Sequence, residues 1–221
     1  MAQGEPVLCY RIIPVTAFHQ NCSLLWCDQS MDAVLIDAGG DVARLREQVE
    51  DLGLKLTAIW LTHGHLDHAG GAQDLREQLG LPVIGPARAD DFWLAGIEQQ
   101  SRTYGLAGMR NVVPDRWLDD GDSVQVGVER LTVISAPGHT PGHVVFYHAK
   151  QQLAWVGDVI FAGSIGRTDF PKGDHDTLIA SITQKLWPLG DAVNFIPGHG
   201  PESTFGVERR TNPFVADAKF G

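Results

Sequence analysis

The 221-residue chain has nine histidines, and three of them fall beside an aspartate in one short segment, LTHGHLDHAGG, residues 61–71. Core packing alone does not crowd His63, His65, Asp67 and His68 together, because a buried polar group needs a partner and a buried charge needs one badly. A metal ion satisfies all four. Three later positions repeat the logic: His139 in APGHTPGH, Asp158 in LAWVGD and His199 in VNFIPGHG each stand just past an apolar strand pattern. A structural zinc site more often recruits cysteine and closes with four protein ligands. No cysteine stands near these motifs, and five imidazoles with two carboxylates exceed one tetrahedral shell. Seven ligands imply two metals, and imidazole with carboxylate suits zinc, iron or manganese.

The elements that must position these groups are legible in outline. Short β-rich runs bounded by Gly, Pro, Asp or Asn recur at residues 10–15, 23–27, 33–37, 57–61, 83–84, 123–128, 131–135, 143–147, 153–156 and 193–196. Between them, Val42, Leu45, Val49 and Leu52 share one face of a helix over residues 41–52, capped by Asp41 and ended by Gly53. Further helices are expected over 72–79, stopped by Gly80, and over 177–186, with a weaker pattern at 89–100. The segment 57–61 ends just before the histidines and a helix follows them, so the cluster sits on a strand-to-helix turn at a sheet edge, where α/β proteins bind ligands. Gly64 permits the tight turn. The pattern predicts mixed α/β structure with helices covering sheets, and no linker or low-complexity tract divides residues 1–221, so one domain is expected.

Composition limits the partners. With 17 basic against 27 acidic residues the formal charge is −10, which repels phosphate backbones, so nucleic acid is not an expected partner. The longest apolar runs fall far short of the ~20 residues that span a bilayer. No membrane span is expected, and nothing in MAQGEPVLCYRIIPV reads as an export signal, which makes the cytoplasm the expected location. Cys9, Cys22 and Cys27 cannot all pair and match neither a zinc knuckle nor a redox Cys-x-x-Cys, so they are expected as free thiols.

The His-x-His-x-Asp-His signature, followed by the later His, Asp and His, resembles that of the metallo-β-lactamase-fold hydrolases over most of the chain. The resemblance implies a four-layer αββα sandwich, two mixed sheets with helices on the outer faces, whose ligand loops gather at one edge. It assigns His63, His65 and His139 to a first metal, Asp67, His68 and His199 to a second, and Asp158 to both. A zinc β-lactamase is expected to carry cysteine where Asp158 stands, which disfavours antibiotic hydrolysis. The chain is most similar to the compact glyoxalase II enzymes, which implies a small-molecule substrate, a glutathione thioester such as S-lactoylglutathione, cleaved by a metal-bridging hydroxide. Asp67 and Asp158 would be the catalytic carboxylates, Asp67 also orienting the hydroxide. Arg167, in GRTDF, matches the basic residue that holds glutathione, although with only 22 residues after His199 the C-terminal helical domain of the longer enzymes is not expected.

A second reading stays open. Persulfide dioxygenases share this fold and a similar GRTDF stretch, using one iron held by two histidines and a carboxylate, here His63, His139 and Asp158. The hydrolase is favoured because His65, Asp67, His68 and His199 complete a second site. A binding module without catalysis is expected to have lost a ligand, and none is missing; lactone or phosphodiester hydrolysis also stays open. His143 is expected to support a ligand through a hydrogen bond rather than ligate. His148 and His175 are expected on the surface, His19 in a loop, Asn21 in a turn held by its side chain, and Arg209 and Arg210 as solvated charges. Trp93 and Tyr104 either wall the substrate site or serve packing.

Overall fold

In the computed structural model, which describes residues 5–106 and 108–219, two mixed sheets pack face to face. The first is five-stranded, in the order β1 (Leu8–Val15), β2 (Gln20–Cys27), β3 (Asp32–Ile36), β4 (Lys55–Trp60) and β5 (Val83–Ile84). The second draws on β6 (Ser123–Val126), β7 (Glu129–Ser135), β8 (Val144–His148), β9 (Leu153–Gly157), β12 (Asn194–Pro197) and β13 (Ser203–Thr204). A separate ribbon pairs β10 (Ile160–Phe161) with β11 (Ser164–Ile165). Every expected strand forms; β10, β11 and β13, each two residues long, are too short to show a period.

Alternation along the strands sorts the core into three layers. In β3, Val34 and Ile36 face the second sheet while Ala33 and Leu35 face helices, and in β9 Leu153 and Trp155 point between the sheets while Ala154 and Val156 point outward. Both faces of these central strands are buried, which is why they read as continuous apolar runs. The inter-sheet layer centres on Trp60 and Phe146, whose rings lie 5.3 Å apart. On the outer face of the first sheet lie α1 (Val42–Asp51), α2 (Leu66–Ala69), α3 (Ala72–Leu79), α4 (Asp91–Leu94) and α5 (Ile97–Thr103). Opposite them α6 (His175–Ala180) and α7 (Phe205–Thr211) cover the second sheet through Leu178 and Phe205. The result is the αββα sandwich that the family resemblance implies.

Helix α3 spans its expected residues and stops at Gly80, whose φ of 67° places it in the left-handed region that glycine enters without strain. Three local readings need correction. Asp41 precedes α1 but does not cap it: its backbone is left-handed, and its carboxylate accepts instead from Thr16 N at 2.8 Å. The helix expected over 177–186 begins at His175 and widens into a π-helical turn over Ser181–Leu186, where the Thr183 hydroxyl donates to the Ile179 carbonyl. His148 is not a surface residue. It ends β8, which lies between β7 and β9, and is 1% exposed with Nε2 2.8 Å from Glu129 Oε2. His175 is exposed and His19 lies in the turn between β1 and β2, as expected. The three cysteines are free, and no helix among the described residues is long and apolar enough to cross a membrane.

Candidate metal centre

Strand directions deliver the candidate side chains to one edge. β3 and β4 are parallel, as are β9 and β12, and two antiparallel pairings make β7 run with β9. The carboxyl ends of β4, β7, β9 and β12 lead directly to His63, His139, Asp158 and His199. His65 precedes the short helix α2, whose first turn carries Asp67 and His68.

All seven side chains converge. His65 Nδ1 lies 3.1 Å from His63 Nε2 and 3.0 Å from His139 Nε2. Nitrogens of a tetrahedral zinc shell with bonds of about 2.1 Å lie about 3.4 Å apart, so the spacing is close to that of one coordination sphere. Asp67 Oδ2, His68 Nε2 and His199 Nε2 form a second group, with Asp67 Oδ2 3.2 Å from His199 and 3.8 Å from His68. Asp158 spans the two: Oδ1 is 3.3 Å from His68 Nε2, and Oδ2 is 3.7 Å from both His139 Nε2 and His199 Nε2.

Neighbouring acceptors orient the imidazoles. His139 Nδ1 donates to the Arg167 carbonyl at 2.7 Å, and His68 Nδ1 donates to Asp37 Oδ2 at 2.8 Å. Thr62 Oγ1 donates to Asp37 Oδ2, which leaves its lone pairs for His63 Nδ1 at 3.0 Å. Each bond places the other nitrogen's lone pair toward the shared centre, the arrangement that fixes metal-ligating tautomers. Burial, reinforced by neighbouring imidazoles, holds His63 well below its ordinary range; burial also lowers His139 and brings His65 down to about 3. All three are neutral at pH 7, as ligation requires. Converging lone pairs on neutral rings repel one another unless a cation lies among them.

The second group shows the opposite electrostatics. Burial alone lowers His68, yet Asp158, Asp67 and Asp37 together raise it well above its ordinary range, so the field at this point favours positive charge. Burial alone raises Asp158, and His68, His139 and His199 reverse that to hold it far below the usual carboxylate range. His68 Nε2 and Asp158 Oδ1 are buried without a hydrogen-bond partner, although they face each other. Buried donors and acceptors are rarely left so. The residues present therefore fit divalent cations at both groups.

Two residues outside the motifs hold this arrangement. Asp37 also accepts from Thr62 N at 2.7 Å, tying the end of β3 to the histidine loop. Asp90, fully buried, accepts from Gly64 N, Thr140 Oγ1 and Gly142 N at 2.9, 2.7 and 2.6 Å, fastening the His63–His65 turn to the His139 loop. His143 is in neither group of converging ligand atoms; it accepts from Asp158 N at 3.1 Å and stacks on His63 at 4.7 Å. Asn21 donates to the carbonyls of Pro197 and Gly200, so it secures the distant His199 loop rather than a turn of its own. Gly198 admits no side chain, since a Cβ there would lie 2.1 Å from Asp158 Oδ1.

A cavity of about 600 Å³ opens in front of His65, Asp67, His139, Asp158 and His199. Trp93 and Tyr104 both line it. Arg167 lines it too, but its Nε and Nη2 are engaged by Asp169 at 2.7 and 2.6 Å. The β10–β11 ribbon forms another wall, anchored from α7 by Glu208, which accepts from Gly163 N and Ser203 Oγ. Arg209 and Arg210 stand elsewhere, paired with Asp191 and Asp217 or with Asp191 alone.

Known proteins share this design. The sequence profile of the metallo-beta-lactamase superfamily matches residues 15–199. The hydroxyacylglutathione hydrolase GloC of Haemophilus influenzae is 45% identical over 205 residues, covering 92% of this chain and 96% of that protein. Among solved structures, BLEG-1, described as a B3 metallo-beta-lactamase, superposes with a TM-score of 0.86 at 34% identity, over 94% of this chain and 99% of the other. TTHA1623, described in a di-iron-bound form, gives 0.84 at 36% identity, over 93% and 100%. With the motif, the sandwich and the converging ligand set in place, the chain belongs to the metallo-beta-lactamase superfamily and is a metal-dependent hydrolase of that fold.

Proposed function

We propose that the protein is a dinuclear thioester hydrolase of the glyoxalase II kind, acting on glutathione thioesters such as S-lactoylglutathione. The observation that carries this reading is the position of Asp158, whose two carboxylate oxygens reach both ligand groups. The similarity to GloC over nearly the whole chain supports the substrate class. His63, His65 and His139 would hold one divalent cation, Asp67, His68 and His199 the other, and Asp158 both; zinc, iron and manganese all suit these donors. When bound, such a pair lowers the pKa of water and polarises a carbonyl oxygen.

The chain's own residues do the rest. Asp67 lines the cavity, and its Oδ2, the atom that faces His199, would accept a hydrogen bond from the attacking water. Thr62, Asp37 and the Arg167 carbonyl keep the imidazoles from rotating as charge develops, and such preorganisation removes the reorganisation cost that water would impose. The water oxygen bonds to the acyl carbon, the carbon–sulfur bond breaks, and the proton leaves on the thiol. No serine, cysteine or lysine nucleophile is needed.

The dioxygenase alternative uses only His63, His139 and Asp158, and the compact group of Asp67, His68 and His199 favours the hydrolase over it. The test is thiol release from S-lactoylglutathione by metal-loaded protein, with an oxygen electrode and glutathione persulfide in a parallel arm and a β-lactam in a third. Metal-dependent thiol release that vanishes in His63→Ala is expected. Oxygen uptake or β-lactam opening without thiol release would overturn the proposal.

A further inference from the structure

The walls of the cavity are more selective than its metal-facing floor. Trp93 and Phe170 bracket His65, with ring centroids 4.5 and 5.0 Å from its own and 6.0 Å from each other. Across the cavity Phe161 stands 6.3 Å from His199, and at the mouth Phe18 and Tyr104 meet edge to face at 6.1 Å. Trp93 and Phe170 meet the cavity as ring surfaces: Trp93 Nε1 is buried without a partner, and the hydroxyls of Tyr104 and Ser164 line the cavity at the mouth and on the β10–β11 side. Gln100 Nε2 is already given to the Trp93 carbonyl at 3.2 Å. Arg167, the one Lys or Arg among the described lining residues, is bidentate to Asp169, and its guanidinium lies 4.1 Å over the Phe170 ring. It presents a neutralised, stacked surface rather than a free cation.

A lactoyl group is small and carries a hydroxyl that needs a partner, and a site that buries such a group unpaired loses affinity. A wall of aromatic rings instead rewards apolar area removed from water, and aromatic pairs add to that through edge and face contacts. At about 600 Å³ the cavity also has room for more than a three-carbon acyl group beside the thiol.

We infer that the site takes thioesters with a compact apolar acyl group, aryl or branched alkyl, seated against the aromatic wall that Trp93 and Phe170 form beside His65. This rests on the thioesterase reading and narrows it. Water adds to the acyl carbon, the carbon–sulfur bond breaks, and the products are an apolar carboxylic acid and a free thiol that carries the proton.

Two readouts test it on metal-loaded protein. The first is calorimetric binding of S-benzylglutathione and S-methylglutathione, thioethers that cannot be hydrolysed; the benzyl compound is expected to bind about tenfold tighter or more. That ratio is expected to fall below about threefold in Trp93→Ala and in Phe170→Ala, and to survive in Trp93→Phe, which keeps a ring in the wall. The second is kcat/KM for S-phenylacetylglutathione against S-lactoylglutathione, expected to favour the former by about tenfold. A binding ratio near one, a ratio unchanged in both alanine variants, or hydrolysis that prefers the lactoyl substrate overturns this inference and leaves the thioesterase reading intact. Failure to hydrolyse any thioester overturns the thioesterase reading and, with it, the substrate named here.

Discussion

Asp90→Ala separates the scaffold of the site from its ligands, because Asp90 touches the loops and not the converging nitrogens. Its carboxylate accepts three hydrogen bonds, from Gly64 N, Thr140 Oγ1 and Gly142 N, all buried donors. Leaving a buried donor unsatisfied costs about 1–3 kcal/mol. Three of them cost about 6 kcal/mol at the middle of that range. Against this, burial pushes the Asp90 carboxyl from 3.8 up to about 6. Holding it ionised at neutral pH therefore costs the folded protein about 3 kcal/mol, which the substitution removes. The net loss is about 3 kcal/mol, and for a chain of this size each kcal/mol lowers Tm by about 2–4 °C. Asp90→Asn drops the charge and keeps an acceptor for Gly64 and Thr140, while its amide NH₂ meets the Gly142 N–H, so it is expected to fall between the wild type and Asp90→Ala. Thermal and urea unfolding of all three proteins, with metal content measured alongside, is the assay. A Tm for Asp90→Ala within about 3 °C of the wild type, with unchanged metal affinity, would refute the claim that this carboxylate ties the two loops together.

Asp37→Asn keeps an acceptor for Thr62 but cannot hold the His68 Nδ1–H in the same geometry, so metal affinity is expected to drop about 10–100-fold in a competition titration with a chromophoric chelator. In Gly198→Ala the new methyl would lie 2.1 Å from Asp158 Oδ1, and elemental analysis is expected to find the site largely unable to load. Asp169→Ala frees Arg167 from its bidentate partner, so KM for thioesters that carry carboxylates should fall by about two- to fivefold with little change in kcat. Glu208→Ala strips the acceptor from Gly163 N, Ser203 Oγ and Asn212 Nδ2, which is expected to cost about 2–4 kcal/mol in urea unfolding.

The reason seven site positions were legible is local: each of His139, Asp158 and His199 follows an apolar strand, and the remaining four crowd one turn. Asp37 follows β3 in the same way, but a lone carboxylate after a strand is no signal until His68, 31 residues on, is seen to face it. Asp90 had no local signature at all. Its partners lie 26 and 52 residues away, and only the folded chain brings the turn before α4 within reach of both loops. His148 was misplaced because one histidine at the end of a strand looks the same whether that strand is central or at an edge. The layers were legible only through the family resemblance, since β3, β8 and β9 are buried on both faces and read as continuous apolar runs that do not tell one face from the other.

Metal stoichiometry tests the central claim most directly. Elemental analysis of the purified protein, reconstituted and freed of excess metal, is expected to give two equivalents per chain, falling to one in His199→Ala with loss of thioester hydrolysis. A single equivalent in the wild type, or full hydrolysis by His199→Ala carrying one, would contradict a dinuclear centre bridged by Asp158.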